Sequence, residues 1–258
     1  MAERTSILAP GEPPAARVEQ HRGQSPYLLI CDHASACIPQ RLANLGVAAA
    51  DLGRHIASDL GAAAVAVTLA ARLDAVLILQ NYSRLVIDCN RPPDSSDSIL
   101  EVSDGIRIPG NASITPAAAA ARLEQVFQPY HERIRAELDA RDALKRRTIL
   151  LAIHSFTPEM HGRRRPWHAG LLYHRDRRLA GALLAFWRRE DKFLIGDNEP
   201  YAMSDRTDYT LPEHGERRGI AHVGIELRQD LIADAASQGA WAERLADALV
   251  YSLTALDC

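Results

Sequence analysis

The sequence predicts a three-layer α/β/α domain around a mostly parallel, mixed central sheet. Two observations predict it. Short apolar runs alternate with longer stretches of helical periodicity along one chain of 258 residues. Several of the apolar runs also end in acids, imidazoles or guanidiniums, and open α/β sheets place their ligands at the carboxyl ends of strands.

Taken in order, residues 1–25 are rich in Pro, Gly and charge and read as a loosely packed or surface leader, with 26–258 as a single domain. PYLLICD, ending at Asp32, is an apolar run too short for a helix and reads as a buried strand. From Asp51 the pattern turns helical through DLGRHIASDLGAAAVAVTLAARL, with Asp51 where an N-cap belongs. AVLILQ (75–80) and RLVIDC (84–89) are two further strands. PPDSSDS opens a long loop, and helical spacing resumes over 116–146 with a kink or break expected at Pro129. RTILLAIHSF (147–156) and GLLYHRD (170–176) read as strands, RLAGALLAFWRRE as a helix and 196–220 as a long loop. HVGIELRQD (222–230) is the last strand, and WAERLADALVYSL closes the chain as an amphipathic helix.

Composition excludes some function classes. A net charge of −3 argues against a nucleic-acid binder. No apolar run approaches the ~20 residues that span a bilayer, and the first residues lack the pattern of a signal peptide. Cys31, Cys37, Cys89 and Cys258 are too scattered for a disulfide framework or a CxxC metal site, which fits a reducing, cytoplasmic compartment. GxSxG, HExxH and P-loop motifs are absent. Cys31 is expected to point into the core and Cys37 to lie past the strand tip, so a Cys/His nucleophile has no supporting spacing.

The polar groups at strand ends are Asp32, His33 and Ser35; Asp88, Asn90 and Arg91; His154 and Ser155; and Glu226 with Arg228. Two histidines on different tips, with a nearby carboxylate, have the composition of a catalytic zinc site, which uses three protein ligands and keeps one open position. The plain alternative is a pair of hydrogen-bonded structural histidines. Glu226 interrupts an apolar run, and an unpartnered carboxylate there is costly, so it needs a cation or a chemical task. An arginine is suited to gripping a substrate carboxylate.

Together CDHASACIP, DLGRHIASDLGA, YSRLVIDCNRPP, AIHSFTP and the stretch from GDNEPYAMSDRTDYT to GIAHVGIELRQDLI resemble the N-formylglutamate amidohydrolase family. The resemblance covers about residues 26–255 and implies a fold similar to zinc carboxypeptidases and aspartoacylases. It implies His33 and His154 as zinc ligands, Glu226 as base, and Asn90 with Arg91 as substrate-carboxylate contacts. The wider group has Glu three residues after the first histidine; here Ala36 stands in its place. Asp51 is then the first choice of third ligand and His55 the second. Arg84, Arg228 and the Tyr201–Tyr209 loop are further candidates for substrate contact or closure. The implied reaction is hydrolysis of a linear amide, N-formyl-L-glutamate giving formate and glutamate, as in histidine degradation, with one zinc or another divalent metal and a small N-acyl amino acid as substrate; the sequence does not give the oligomeric state. Two rivals stay open: a related zinc hydrolase of other specificity, and a metal-free binding protein that kept the fold.

Overall fold

The computed structural model describes residues 6–190 and 192–256; residues 1–5 of the expected leader, Asp191, Asp257 and Cys258 lie outside the described residues. Seven strands form the central sheet: β1 Ala16–Glu19, β2 Tyr27–Cys31, β3 Val76–Gln80, β4 Ile149–Phe156, β5 Ala169–Leu172, β6 Ile195–Asp197 and β7 Ala221–Arg228. Their spatial order is β1-β3-β2-β4-β7-β5-β6. The pairs β3/β2, β2/β4, β4/β7 and β5/β6 are parallel, whereas β1/β3 and β7/β5 are antiparallel. The middle strands β2, β3 and β4 are near-continuous apolar runs because both their faces are covered.

Alternation along each strand divides the core in two. Tyr27 and Leu29 face a layer built from Ala62–Leu73, Arg178–Glu190 and Ala235–Ala255. Leu28 and Ile30 face the opposite layer, which contains Phe127, Tyr130 and Ile134 from the 116–143 helical region.

Four readings change. The segment from Asp51 is not one helix: a single turn, Ala49–Leu52, is followed by an irregular stretch, and the long helix runs only over Ala62–Leu73. Gly61 causes the break, with φ at +80° and a Cβ position that would lie 2.4 Å from the Ile232 carbonyl. RLVIDC is buried but not a strand, because the edge of β3 that it would pair with is occupied by β1. That edge strand comes from the stretch read as leader, and Ile7 and Ala15 join the core. The expected long loop at 196–220 contains the short helix Thr210–His214.

The break expected near Pro129 takes the form of a π turn at Leu123–Phe127 between helices Pro116–Arg122 and Gln128–Ala143. Proline has no N–H to continue the ladder, so the wider turn absorbs the defect.

A Cβ on Gly170, in β5, would stand 1.9 Å from the Glu199 carbonyl oxygen, so the 199–201 backbone must move to admit one. Gly181, inside the helix Arg178–Glu190, has nothing within 4 Å of that position. Gly170→Ala is expected to destabilise the fold by about 1–3 kcal/mol. Gly181→Ala is expected to stabilise it by about 0.5–1 kcal/mol. Urea unfolding midpoints of the two variants check both signs.

Candidate metal centre

Three side chains meet at the carboxyl end of the parallel strands. His33 stands two residues past β2, His154 lies near the end of β4, and Asp59 sits in the irregular stretch before the helix Ala62–Leu73. The backbone N–H of Asp59 donates to the His33 carbonyl at 3.0 Å, which fixes that stretch under the strand tip. Asp59 Oδ2 lies 3.2 Å from His33 Nδ1 and 2.9 Å from His154 Nδ1. One atom from each residue falls within 4.8 Å of the others, and this is the one group of such ligands found among the described residues.

The outer nitrogen of each ring faces a second carboxylate. His33 Nε2 is 2.7 Å from Asp88 Oδ1. His154 Nε2 is 3.2 Å from Asp32 Oδ2, an ion-pair contact rather than an aligned hydrogen bond. Arg84 braces the group from one side. Its Nε and Nη2 donate to Asp88 Oδ2 at 3.1 and 2.6 Å, and its Nη1 donates to Asp59 Oδ1 at 3.3 Å.

Burial disfavours charge throughout, and the partners decide which groups stay charged. For His154, burial is outweighed by Asp32 and Asp59, which hold its pKa well above the usual imidazole range. For His33, burial and Arg84 oppose the charge, but Asp88 and Asp59 raise its pKa. Against burial, His33 and His154 hold Asp59 far below the ordinary carboxylate range, and Arg84 followed by His33 does the same for Asp88. Glu226 is the exception: burial pushes its pKa up to about 7, only partly countered by His154. It sits directly across the β4/β7 ladder from His154, and its Oε2 is buried without a hydrogen-bond partner.

A cavity of about 510 Å³ opens over these groups, with Glu226, Arg84, Asn90, Arg91, His55 and Tyr201 in its wall. A second cavity, of about 570 Å³, lies at the opposite end of the sheet beside Ile149 and Ala221; arginines line it, but no imidazole does. The chemistry therefore belongs to the first.

The expected site residues separate into those that converge and those that do not. His33, His154 and Glu226 converge. Asp51 does not: it sits in the one-turn helix, pairs with Arg54 at 3.2 Å, and is absent from the ligand group. His55 reaches the cavity wall, but its Nε2 faces Asp104 Oδ2 at 3.4 Å instead of joining the trio. Arg228 also turns away, with Nε on Asp230 and Nη1 on the carbonyls of Pro166 and Trp167.

Arg84 lines the cavity, yet three of its nitrogens are committed to Asp88 and Asp59. Asn90 Oδ1 accepts from the backbone N–H groups of Tyr209 and Thr210, so it shapes the cavity from behind. Arg91 lines the cavity and donates from Nη1 to the carbonyls of Asn90 and Thr207. Tyr201 lies under the Arg165 guanidinium at 4.7 Å, whereas Tyr209 packs on Phe127 and His131.

Asp59 is the residue that sequence reasoning missed. Its signal was the run Ser58-Asp59-Leu60-Gly61, whose glycine two residues on marks a turn, not the middle of a helix.

The donor set suits a zinc-type ion. Two imidazole nitrogens and one carboxylate oxygen are borderline ligands with room for a fourth partner. The carboxylates on the outer nitrogens leave both Nδ1 atoms as the ligating positions. The buried, unpartnered oxygen of Glu226 is the group that a nearby cation or a polarised water would satisfy.

A family description of N-formylglutamate amidohydrolase matches residues 25–233. The gene product Atu2144 from Agrobacterium tumefaciens is 38% identical, with a TM-score of 0.95 over 98% of this chain and 100% of that one. An N-formylglutamate amidohydrolase from Ralstonia eutropha JMP134 is 18% identical, with a TM-score of 0.61 over 95% of this chain and 98% of that one, a likeness of fold alone. No curated protein matches. The matched length, with the histidines and the late glutamate inside it, settles one point: the chain belongs to the N-formylglutamate amidohydrolase family.

Proposed function

We propose that this protein is a metal-dependent amidohydrolase that cleaves the linear amide of an N-acyl amino acid, with N-formyl-L-glutamate as substrate and formate and glutamate as products. The single observation that carries the reading is the convergence of His33 Nδ1, His154 Nδ1 and Asp59 Oδ2 beside Glu226. Family membership supports hydrolysis of an amide bond. The family's name supports the formyl substrate, and a role in histidine degradation rests on that substrate alone. Free Cys31, Cys37 and Cys89 support a cytoplasmic setting. No helix among the described residues is long and apolar enough to cross a membrane.

His33, His154 and Asp59 would hold one divalent ion, zinc by the character of its ligands. Bound there, the ion supplies Lewis-acid polarisation of water and of the amide carbonyl near neutral pH. The remaining work falls to the chain. Glu226, ionised, takes a proton from the attacking water and returns it to the departing amine nitrogen. Its pKa near 7 suits both halves of that exchange. Arg91 keeps guanidinium donors for a substrate carboxylate at the cavity wall, where a planar fork matches a carboxylate's two oxygens. Arg84 keeps Asp88 ionised and braces both Asp59 and Asp88 in place. Asn90 holds the 207–210 turn against which Arg91 rests.

Three outcomes follow from these roles. Purified protein should carry about one zinc per chain by elemental analysis. Glu226→Gln should keep that metal while turnover of N-formyl-L-glutamate drops roughly 100- to 10,000-fold, the range for a lost general base. A metal-free protein that still hydrolyses the substrate would overturn the reading. A panel of N-formyl and N-acetyl amino acids, assayed with the loaded protein, separates the formylglutamate assignment from a relative with another specificity.

The corrected third ligand is tested by a pair of variants. Asp59→Asn should lose both zinc and activity. Asp51→Asn should retain both, because Asp51 only pairs with Arg54 at the surface. Zinc content of the two proteins after dialysis against a weak chelator decides the matter.

The sign of the pH dependence follows from Glu226. The base must be ionised, so activity rises with pH along an acid limb governed by a pKa of about 7 in the metal-free chain. A bound cation favours the carboxylate, so at saturating zinc the limb should lie at or below that value. Metal uptake has the same sign, because His33 and His154 must each release the Nδ1 proton. A kcat/KM profile at saturating metal isolates the first effect, and a chelator titration at several pH values isolates the second.

A further inference from the structure

Asp32 is buried, and it uses both carboxylate oxygens in different ways. Its Oδ1 accepts from the Tyr130 hydroxyl at 2.8 Å and from the Thr210 hydroxyl at 2.9 Å. Those donors come from two separate helices, Gln128–Ala143 and Thr210–His214. Its Oδ2 accepts no hydrogen bond and faces His154 Nε2 at 3.2 Å. A buried carboxylate oxygen with no partner but one ring nitrogen is costly unless that nitrogen carries a proton. The environment of Asp32 therefore prescribes the protonation of His154.

We infer that Asp32 is a positioning residue: held by Tyr130 and Thr210, it keeps the proton of His154 on Nε2 and so reserves Nδ1 for the metal. The inference rests on the metal-centre reading for its purpose, but on local geometry for its content. The same logic extends to Asn90. Its side-chain oxygen receives the N–H groups of Tyr209 and Thr210, so the turn bearing Arg91's contact with Thr207 also aims the Thr210 hydroxyl at Asp32. One short turn thus serves the cavity wall on one side and a metal ligand on the other.

Asp32→Asn tests the assignment because it preserves shape and removes acceptor capacity. The carboxylate accepts from Tyr130 and Thr210 on one oxygen and faces the ring with the other. An amide has one acceptor oxygen, so it must either turn N–H groups toward His154 or turn them toward two hydroxyl donors. Either arrangement weakens the preference for the Nε2–H tautomer. Zinc affinity, measured by competition with a chromogenic chelator, should fall roughly 10- to 100-fold, the usual effect of removing a ligand's outer partner. Tyr130→Phe leaves Thr210 on Asp32 and should cost only a few-fold.

A second readout does not depend on metal. In ¹⁵N-labelled metal-free protein, the His154 Nε2–H resonance should be protected from solvent exchange in the wild type, and lost or moved in Asp32→Asn. If the wild type takes up no zinc, the metal reading fails while this resonance still judges whether Asp32 holds the Nε2 proton. A folded Asp32→Asn protein with zinc affinity within two-fold of wild type and an unchanged His154 ring spectrum overturns the inference. Should Asp32→Asn not fold, Thr210→Val provides the same two measurements, with a smaller loss expected.

Discussion

The site depends on fixing two imidazole rings so that the same nitrogen of each points at one spot. An imidazole offers two lone-pair positions, and nothing in the ring itself chooses between them. The choice is made by the outer nitrogens. Asp88 faces that of His33 and Asp32 faces that of His154, which leaves both Nδ1 atoms toward Asp59. Without those two carboxylates the histidines would still lie near each other, with ring centroids 5.0 Å apart, but would not share a focus.

The sheet delivers this arrangement through its parallel order. β2 and β4 are neighbours, so the histidines past one and near the end of the other are brought to one edge. β4 and β7 are neighbours in turn, and their register sets Glu226 opposite His154. The carboxylates come from the irregular segments that follow β2 and β3, where no ladder constrains the backbone and close approach to the rings is possible. Regular structure thus places the imidazoles and Glu226, while loops supply the other acids. This division explains why Gly61 matters so far from the chemistry: its left-handed backbone ends the stretch that carries Asp59 and lets the following helix begin.

The same division explains what the sequence disclosed. The covered strands were legible because YLLIC, VLILQ and ILLAIHSF are apolar runs of strand length. His33, His154 and Glu226 were legible because a polar residue at the end of such a run, or inside it, is conspicuous. RLVIDC has the same composition, yet strand identity also needs a free neighbour. β1 had already taken that edge, and its four residues lay in a stretch dominated by Pro and Gly. Asp59 was hidden by its surroundings, since an acid in an Ala/Leu-rich segment looks like the solvent face of a helix. Asp51 drew the ligand role from sequence because it begins that segment, but local pairing with Arg54 already satisfies it. Arg228 shares a strand face with Glu226 by alternation, and the strand ends there, so its side chain follows the loop at 166–167 rather than the cavity.

Charge balance ties the trio, its backing acids and Glu226 into one unit. Four carboxylates, Asp32, Asp59, Asp88 and Glu226, lie buried with a single arginine, Arg84, among them. Such a cluster is unstable unless positive charge enters it. In the metal-free chain that charge comes from His33 and His154, both shifted toward their protonated forms, and from the partial neutralisation of Glu226. A divalent ion would bring the same two positive charges that the Nδ1 protons carry, and would bring them to the same place. Binding would then exchange protons for metal without altering the net charge of the cluster. The four acids would therefore be tolerated in either state, and Glu226 is the member left with protonation to spare for chemistry.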